Sequence, residues 1–310
     1  MKKRMIYMIM VFILFNTTVV PSLGEIPIPK IFTSGYYEYS FDIEGADGGV
    51  AIVKYFGNDT ILEVPDTLGS YPVKAIGYCA FAGNDCISSV TLPKSMTIIA
   101  SGAFFGCEEL ESLILPDSLI RIESKAFTRC NNLTYLTLPN SLQSIGTNPF
   151  SYTPVTIEIS PNNRHFSLSG GVLYEEQSKT LISYPYGSLI TSYTIPNGTL
   201  SIGNDAFHGC SDLVSVVLPE GLKSVGDEAF AFCDNLTSLT LPESLTSIGN
   251  IAFFYCEKLT SVKLPSNLKS IGTNAFLNCE NLTLEVHPGT YAAQWAETSG
   301  IEYQYLDATH

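Results

Sequence analysis

Apolar and polar positions along most of this chain follow a pattern that returns every 23 residues. Its clearest copy reads Leu236-Thr-Ser-Leu239-Thr-Leu241-Pro242, then Ile248-Gly249, then Ala252-Phe253-Phe-Tyr-Cys256. Pro93, Pro116 and Pro139 keep the interval, as do Pro196, Pro219, Pro242, Pro265 and Pro288. The Ala-Phe pair begins at residues 80, 103, 126, 206, 229, 252 and 275, with Pro149-Phe150 as a degenerate eighth copy. The last two leucines of each unit alternate with one polar residue, which predicts a short strand with one face inward. Proline cannot donate a ladder hydrogen bond and ends that strand. The Ile-Gly pair buries an aliphatic group and allows a tight turn. Ala-Phe-x-x-Cys then returns small, large and small apolar groups to the interior. Twenty-three residues cannot enclose a core alone, so the pattern predicts units stacked into a solenoid.

The period breaks once and must be closed at both ends. From Pro139 to Pro196 there are two units plus 11 residues, and the excess lies in Ser167 to Tyr186. Gly170-Gly171-Val-Leu-Tyr174 and Thr180-Leu-Ile-Ser-Tyr184 flank a polar turn there, which predicts a β-hairpin. Two readings stay open: a protruding contact loop, or an enlarged repeat that closes its own edge. Tyr37, Tyr39, Phe41 and Ile43 alternate with polar residues and predict an N-terminal β cap over 25–64. The repeat array then covers 65–288, with the enlarged repeat at 162–196. Tyr291 and Trp295 stand one helical turn apart before Gly300, and Ile301, Tyr303 and Tyr305 alternate after it. That predicts a helix and strand capping the C-terminus over 289–310.

Leu-Pro, Ile-Gly and Ala-Phe-x-x-Cys at this period resemble the BspA-like leucine-rich repeats, over about Val50 to Tyr305. The resemblance implies a leucine-rich-repeat solenoid of the α/β horseshoe type. A parallel concave β-sheet would carry short turns or helical turns on its convex side. Two units depart from the pattern, with Ala100 and Glu123 where glycine is usual. Proteins of this family are commonly exported or surface-displayed and linked to adhesion. The resemblance therefore implies a secreted or cell-surface binding protein whose partner is a host or envelope protein, or a glycan. The alternative is a structural or scaffolding module of the envelope with no specific ligand.

Charge supports export and excludes one class of partner. Lys2, Lys3 and Arg4 precede the apolar run Ile6 to Phe15, the layout of a signal peptide over 1–24. The run is shorter than the roughly 20 residues a spanning helix needs. Membrane attachment would arise only through an uncleaved signal anchor. The chain carries 16 basic and 30 acidic residues, net −14, and loss of 1–24 leaves 13 basic residues and −17. Such a surface repels phosphate backbones, so nucleic acid is not an expected partner.

The residues that usually carry chemistry sit in structural slots. Six of the eight cysteines occupy the repeat's cysteine position and are expected as buried free thiols. Cys79 and Cys86 fall outside it and form the candidate disulfide of an exported chain. His165, His208, His287 and His310 lack ligand spacing, and Glu108-Glu109, Glu175-Glu176 and Asp227-Glu228 read as solvated loop charge. No metal or cofactor is expected. Serines recur at repeat positions such as Ser224, Ser247 and Ser270, and no nucleophile elbow or phosphate loop occurs, so no catalytic residues are assigned.

What the pattern does offer is a long outward face. The leading candidates are Tyr135, Thr137, Ser215, Val217, Ser238, Thr240, Ser261 and Lys263, with Ser89, Thr91, Ser112 and Ile114 in earlier units. Hydroxyls on a wide sheet suit an extended partner better than a small ligand. They are also ordinary exposed strand residues. A convex cluster of Phe105, Phe232, Phe254 and Tyr255 is a second candidate, or a shield for the core.

Overall fold

The computed structural model describes residues 30–41 and 48–306. The signal peptide expected at 1–24, the start of the cap and its Ile43 lie outside the described residues. From residue 31 onward the chain is one compact unit, a β-solenoid with a single helix among the described residues.

Each regular 23-residue turn of the solenoid contributes to three parallel rows. The first is the leucine row, where strands such as Ser215–Val217, Ser238–Thr240 and Ser261–Lys263 pair in parallel. The second is formed by Ser-Ile strands: Ser201–Ile202, Ser224–Val225, Ser247–Ile248 and Ser270–Ile271 also pair in parallel. The sequence pattern had predicted one sheet, with turns opposite it. Strands two residues long leave no alternation to read, which hides this second sheet.

The third row consists of the Ala-Phe-x-x-Cys loops, stacked by backbone hydrogen bonds such as Phe207 N to Ala229 O at 2.7 Å and Phe230 N to Ala252 O at 2.7 Å. Each loop except the degenerate one at Asn148 bends through left-handed backbone at two positions four apart, as at Glu228 (φ 55°) and Phe232 (φ 60°).

Phenylalanine fills the space between the rows. Phe207, Phe230, Phe253 and Phe276 are buried and stack with ring centroids 4.7, 5.3 and 4.9 Å apart, their planes within 10°. A second stack joins Phe81, Phe104, Phe127 and Phe150 at 5.1, 5.6 and 5.9 Å. Leucine, isoleucine and alanine of the other motif positions close around them.

The cysteine slot adds a hydrogen bond to this packing. Cys233 Sγ donates to Phe207 O at 3.2 Å and Cys256 Sγ to Phe230 O at 3.2 Å, and Cys107, Cys130 and Cys279 repeat the contact. In the degenerate unit Thr153 takes the place, its hydroxyl donating to Phe127 O. Burial pushes the Cys107 thiol up to about 12, and raises those of Cys130, Cys210, Cys233 and Cys256 as well.

The disulfide expected between Cys79 and Cys86 is not formed, and all eight cysteines are free thiols. Cys86 belongs to a turn in which Asn84 Oδ1 accepts from Cys86 N and Ile87 N, both at 3.0 Å, and its thiol faces Asp85. Cys79 sits instead at a left-handed loop position, φ 51°. Two thiols are therefore expected to react in the native protein and all eight after denaturation. A total of six in denaturant would restore the bond.

Glycine after isoleucine has a different cause from the one its spacing implied. A Cβ on Gly249 would lie 2.5 Å from Asp227 N, and one on Gly272 would lie 2.3 Å from Asn250 N. Close approach of the preceding turn's backbone, rather than a left-handed turn, excludes a side chain there.

The enlarged repeat is a wall inside the solenoid. Phe166–Ser169, Val172–Glu175 and Thr180–Ser183 pair antiparallel, and the last continues the second row by pairing with Ser201–Ile202. Phe166, Leu173 and Ile182 pack into the N-terminal core, whereas Val172, Tyr174, Leu181 and Tyr184 pack into the C-terminal one. With both faces of the hairpin buried, its reading as a protruding contact loop gives way to that of an enlarged repeat. The loop row has no turn of its own here. Asn148 bridges the gap: its carboxamide oxygen accepts from Phe150 N at 3.1 Å and its nitrogen donates to Asp205 O at 2.8 Å. The side chain thus stands in for the missing peptide group.

The ends close on two devices. Phe32–Ser34, Tyr37–Ser40 and Val50–Tyr55 form an antiparallel cap joined to Tyr71–Ile76. At the other end the helix Tyr291–Ser299 starts with Thr290 Oγ1 accepting from Ala293 N and stops at Gly300, φ 77°. Ala292, Ala293 and Ala296 are buried, and Trp295 packs on Phe276 at 6.1 Å.

Candidate functional site

The leucine row turns two residues of each strand away from the core. Beyond the hairpin these align as two ladders: Ser192, Ser215, Ser238, Ser261, Thr283 and Glu302, beside Thr194, Val217, Thr240, Lys263, Glu285 and Gln304. Six strands about 4.8 Å apart span roughly 24 Å. Ser238, Thr240 and Ser261 are exposed, Val217 is 55% exposed, and Ser215 and Lys263 are half-buried. Ser215 Oγ donates to Ser192 Oγ at 2.9 Å, and Ser261 Oγ to Glu285 Oε1 at 2.8 Å. Lys263 Nζ lies 3.7 Å from Glu243 Oε1. A hydroxyl keeps further donor or acceptor capacity when it makes one such bond, so the surface can pair with polar groups of either kind.

Of the eight candidate residues, six share this sheet and two do not. Tyr135 and Thr137 lie in a separate two-stranded sheet, Tyr135–Leu138 with Thr156–Ile159. There the Tyr135 hydroxyl donates to the Glu158 carboxylate, and Thr137 Oγ1 donates to the Tyr135 hydroxyl at 3.3 Å. The hairpin falls between the two sheets in sequence and supplies no leucine-row strand. The sequence reading missed Ser192, Thr194, Thr283, Glu285, Glu302 and Gln304. Tyr193 replaces a leucine in the first of these strands. In Thr283–Val286 the strand lies 22 residues after its neighbour although the prolines keep 23. Apolar surface adjoins the sheet, since Leu189 (91% exposed) and Ile190 lead into its first strand and Val214 into its second.

The other candidates resolve differently. Phe232 and Phe254 are buried, with ring centroids 5.2 Å apart, and Tyr255 stacks on Phe232 at 5.7 Å; they form an outer aromatic layer over the loops. Asp227 and Glu228 are not solvated loop charge. Asp227 Oδ1 accepts from Asn250 N at 2.6 Å, while Glu228 joins a cluster with Asp205 and His208. His208 Nδ1 lies 2.7 Å from Asp205 Oδ1 and 3.6 Å from Glu228 Oε2, and Lys125 Nζ lies 3.4 Å from Asp205 Oδ2.

Residues 62–178 and 183–291 match the sequence profile of the BspA type leucine rich repeat region, in six copies. No curated protein gives a significant match. Among solved structures, the pneumococcal vaccine antigen PcpA is similar over 91% of this chain and 100% of that one, at 19% identity and a TM-score of 0.61. A leucine-rich repeat protein from Eubacterium ventriosum is similar over 82% of each chain, also at 19% identity, with a TM-score of 0.57. Both likenesses concern the fold. Among the described residues no helix is long and apolar enough to cross a membrane. The stacked Leu-Pro, Ile-Gly and Ala-Phe-x-x-Cys turns, and a profile match over most of its length, make this chain a member of the BspA type leucine-rich-repeat family.

Proposed function

We propose that this protein is exported, acts at the cell surface and binds an extended protein or glycan through the leucine-row sheet beyond the hairpin. The observation that carries this reading is the pair of six-residue ladders, with hydroxyl side chains at five positions of the first and two of the second, and charge gathered at the C-terminal end. Many weak polar contacts spread over about 24 Å favour a large partner over a small ligand. The N-terminal basic-then-apolar segment supports export. Arrayed matrix proteins and glycans provide the test: a probe captured by the parent chain and released by changes in the ladders is the expected result. If nothing on the array binds, the envelope-scaffold role replaces this one.

A further inference from the structure

The loop row holds a group of ionisable side chains that the binding face does not use. Lys125, Asn148, Asp205 and Glu228 occupy equivalent positions in successive loops, because the enlarged repeat contributes none between Asn148 and Asp205. His208 is three residues beyond Asp205, in the same loop. Asp205 is 3% exposed and His208 7%, and the Glu228 side chain is 16% exposed. One ligand atom from each of Asp205, His208 and Glu228 lies within 4.8 Å of the other two. The imidazole is held between rings, with Phe232 stacked at 5.4 Å and Tyr152 edge-on at 5.3 Å. Its Nε2 is buried without a hydrogen-bond partner.

Two carboxylates share this pocket with one imidazole and one ammonium, and Lys125 sits on the Asp205 oxygen that points away from His208. Burial, and after it the charge of Asp205, push the Glu228 carboxyl up. Asp205, despite its own burial, is held low by His208 and Lys125.

We propose that Asp205, His208 and Glu228 bind one divalent cation of the zinc type. One imidazole nitrogen and two carboxylate oxygens are a donor set that zinc takes, with water in the fourth position. Ligands at about 2.0–2.1 Å in a tetrahedron stand roughly 3.3 Å apart. The observed separations of 2.7 and 3.6 Å from His208 Nδ1 bracket that value, and the three ligand atoms lie within 4.8 Å of one another. Lys125, beside the second oxygen of Asp205, is a competing positive charge that weakens the site for a cation. Coordination through Nδ1 leaves the ring proton of the neutral imidazole on Nε2. Because that N–H has no hydrogen-bond partner, the expected affinity is micromolar rather than that of a closed structural zinc site.

The test uses the untagged chain titrated with Zn²⁺ and with Co²⁺. The expected result is one ion per chain and a tetrahedral cobalt spectrum without the charge-transfer band of a thiolate ligand. His208→Gln and Glu228→Gln should each weaken binding by about tenfold or more. Lys125→Gln, which removes a neighbouring cation, should tighten it; a purely structural cluster predicts no such gain. Glu228→Gln relieves a buried charge and is expected to stay folded even if His208→Gln does not. Failure to bind either ion at roughly millimolar concentration, a cobalt–thiolate band, or unchanged affinity in Glu228→Gln would each overturn the proposal.

Discussion

Replacing Phe230 by alanine is expected to lower the unfolding free energy by about 3–5 kcal/mol, the range for a large aromatic removed from a closed core. Phe230 has no exposed surface, and its ring lies between those of Phe207 and Phe253 at 4.7 and 5.3 Å. In a stack, the lost ring strips contacts from both neighbouring turns, which cannot close the gap without breaking the hydrogen bonds that link the loops. The denaturant midpoint should fall while the slope holds. Phe105→Ala makes the matched comparison: that ring is half-buried on the outer side of its loop, and its loss should cost only about 1 kcal/mol. Equal effects at the two sites would mean that the ring stack does not organise the core.

Leu173→Ala has the second large effect, and a different kind of effect. Leu173 is fully buried in the hairpin strand Val172–Glu175, facing the N-terminal core, while its neighbours Val172 and Tyr174 face the C-terminal one. Removing it should cost about 2–5 kcal/mol. Stacked repeats are coupled mainly through nearest neighbours, so weakening the wall should also uncouple the two sides. A single unfolding transition in the parent is expected to become two in Leu173→Ala, whereas Phe230→Ala keeps one. A single transition in Leu173→Ala would show that the two cores are joined by something other than the hairpin.

Residues with the same job in every turn were legible in the sequence. Phe253, Cys256, Leu239 and Pro242 each recur at the same interval because each meets the same surroundings one turn later. What depends on contact between turns was harder to see. Gly249 is fixed by the backbone of Asp227, which no local pattern records. The hairpin carried a usable signal in the contiguous apolar residues Val172-Leu173-Tyr174 and Leu181-Ile182, since a strand without alternation is buried on both faces. Its Gly-Gly start and polar turn drew attention to the tip instead. Asp205 and Lys125 meet only because one loop is skipped, so their separation of 80 residues is no multiple of the repeat. The binding face was legible where leucine kept its place, as at Ser238 and Ser261. It was lost where Tyr193 replaced leucine and where the strand at Thr283 slipped by one residue.

The most direct test of the proposed surface is a comparison of the parent chain with Ser238→Arg/Thr240→Arg on the same array of extracellular-matrix proteins and glycans. Both residues are exposed in the middle of the ladders, and neither side chain supports the core. Glu280→Arg, exposed but off the sheet, controls for the change in charge. The parent and the control should bind the same probe, and the double variant should bind it about tenfold more weakly, a loss of roughly 1.4 kcal/mol, with an unchanged thermal midpoint. Full-strength binding by the folded double variant would contradict the assignment of the leucine-row sheet as the binding surface.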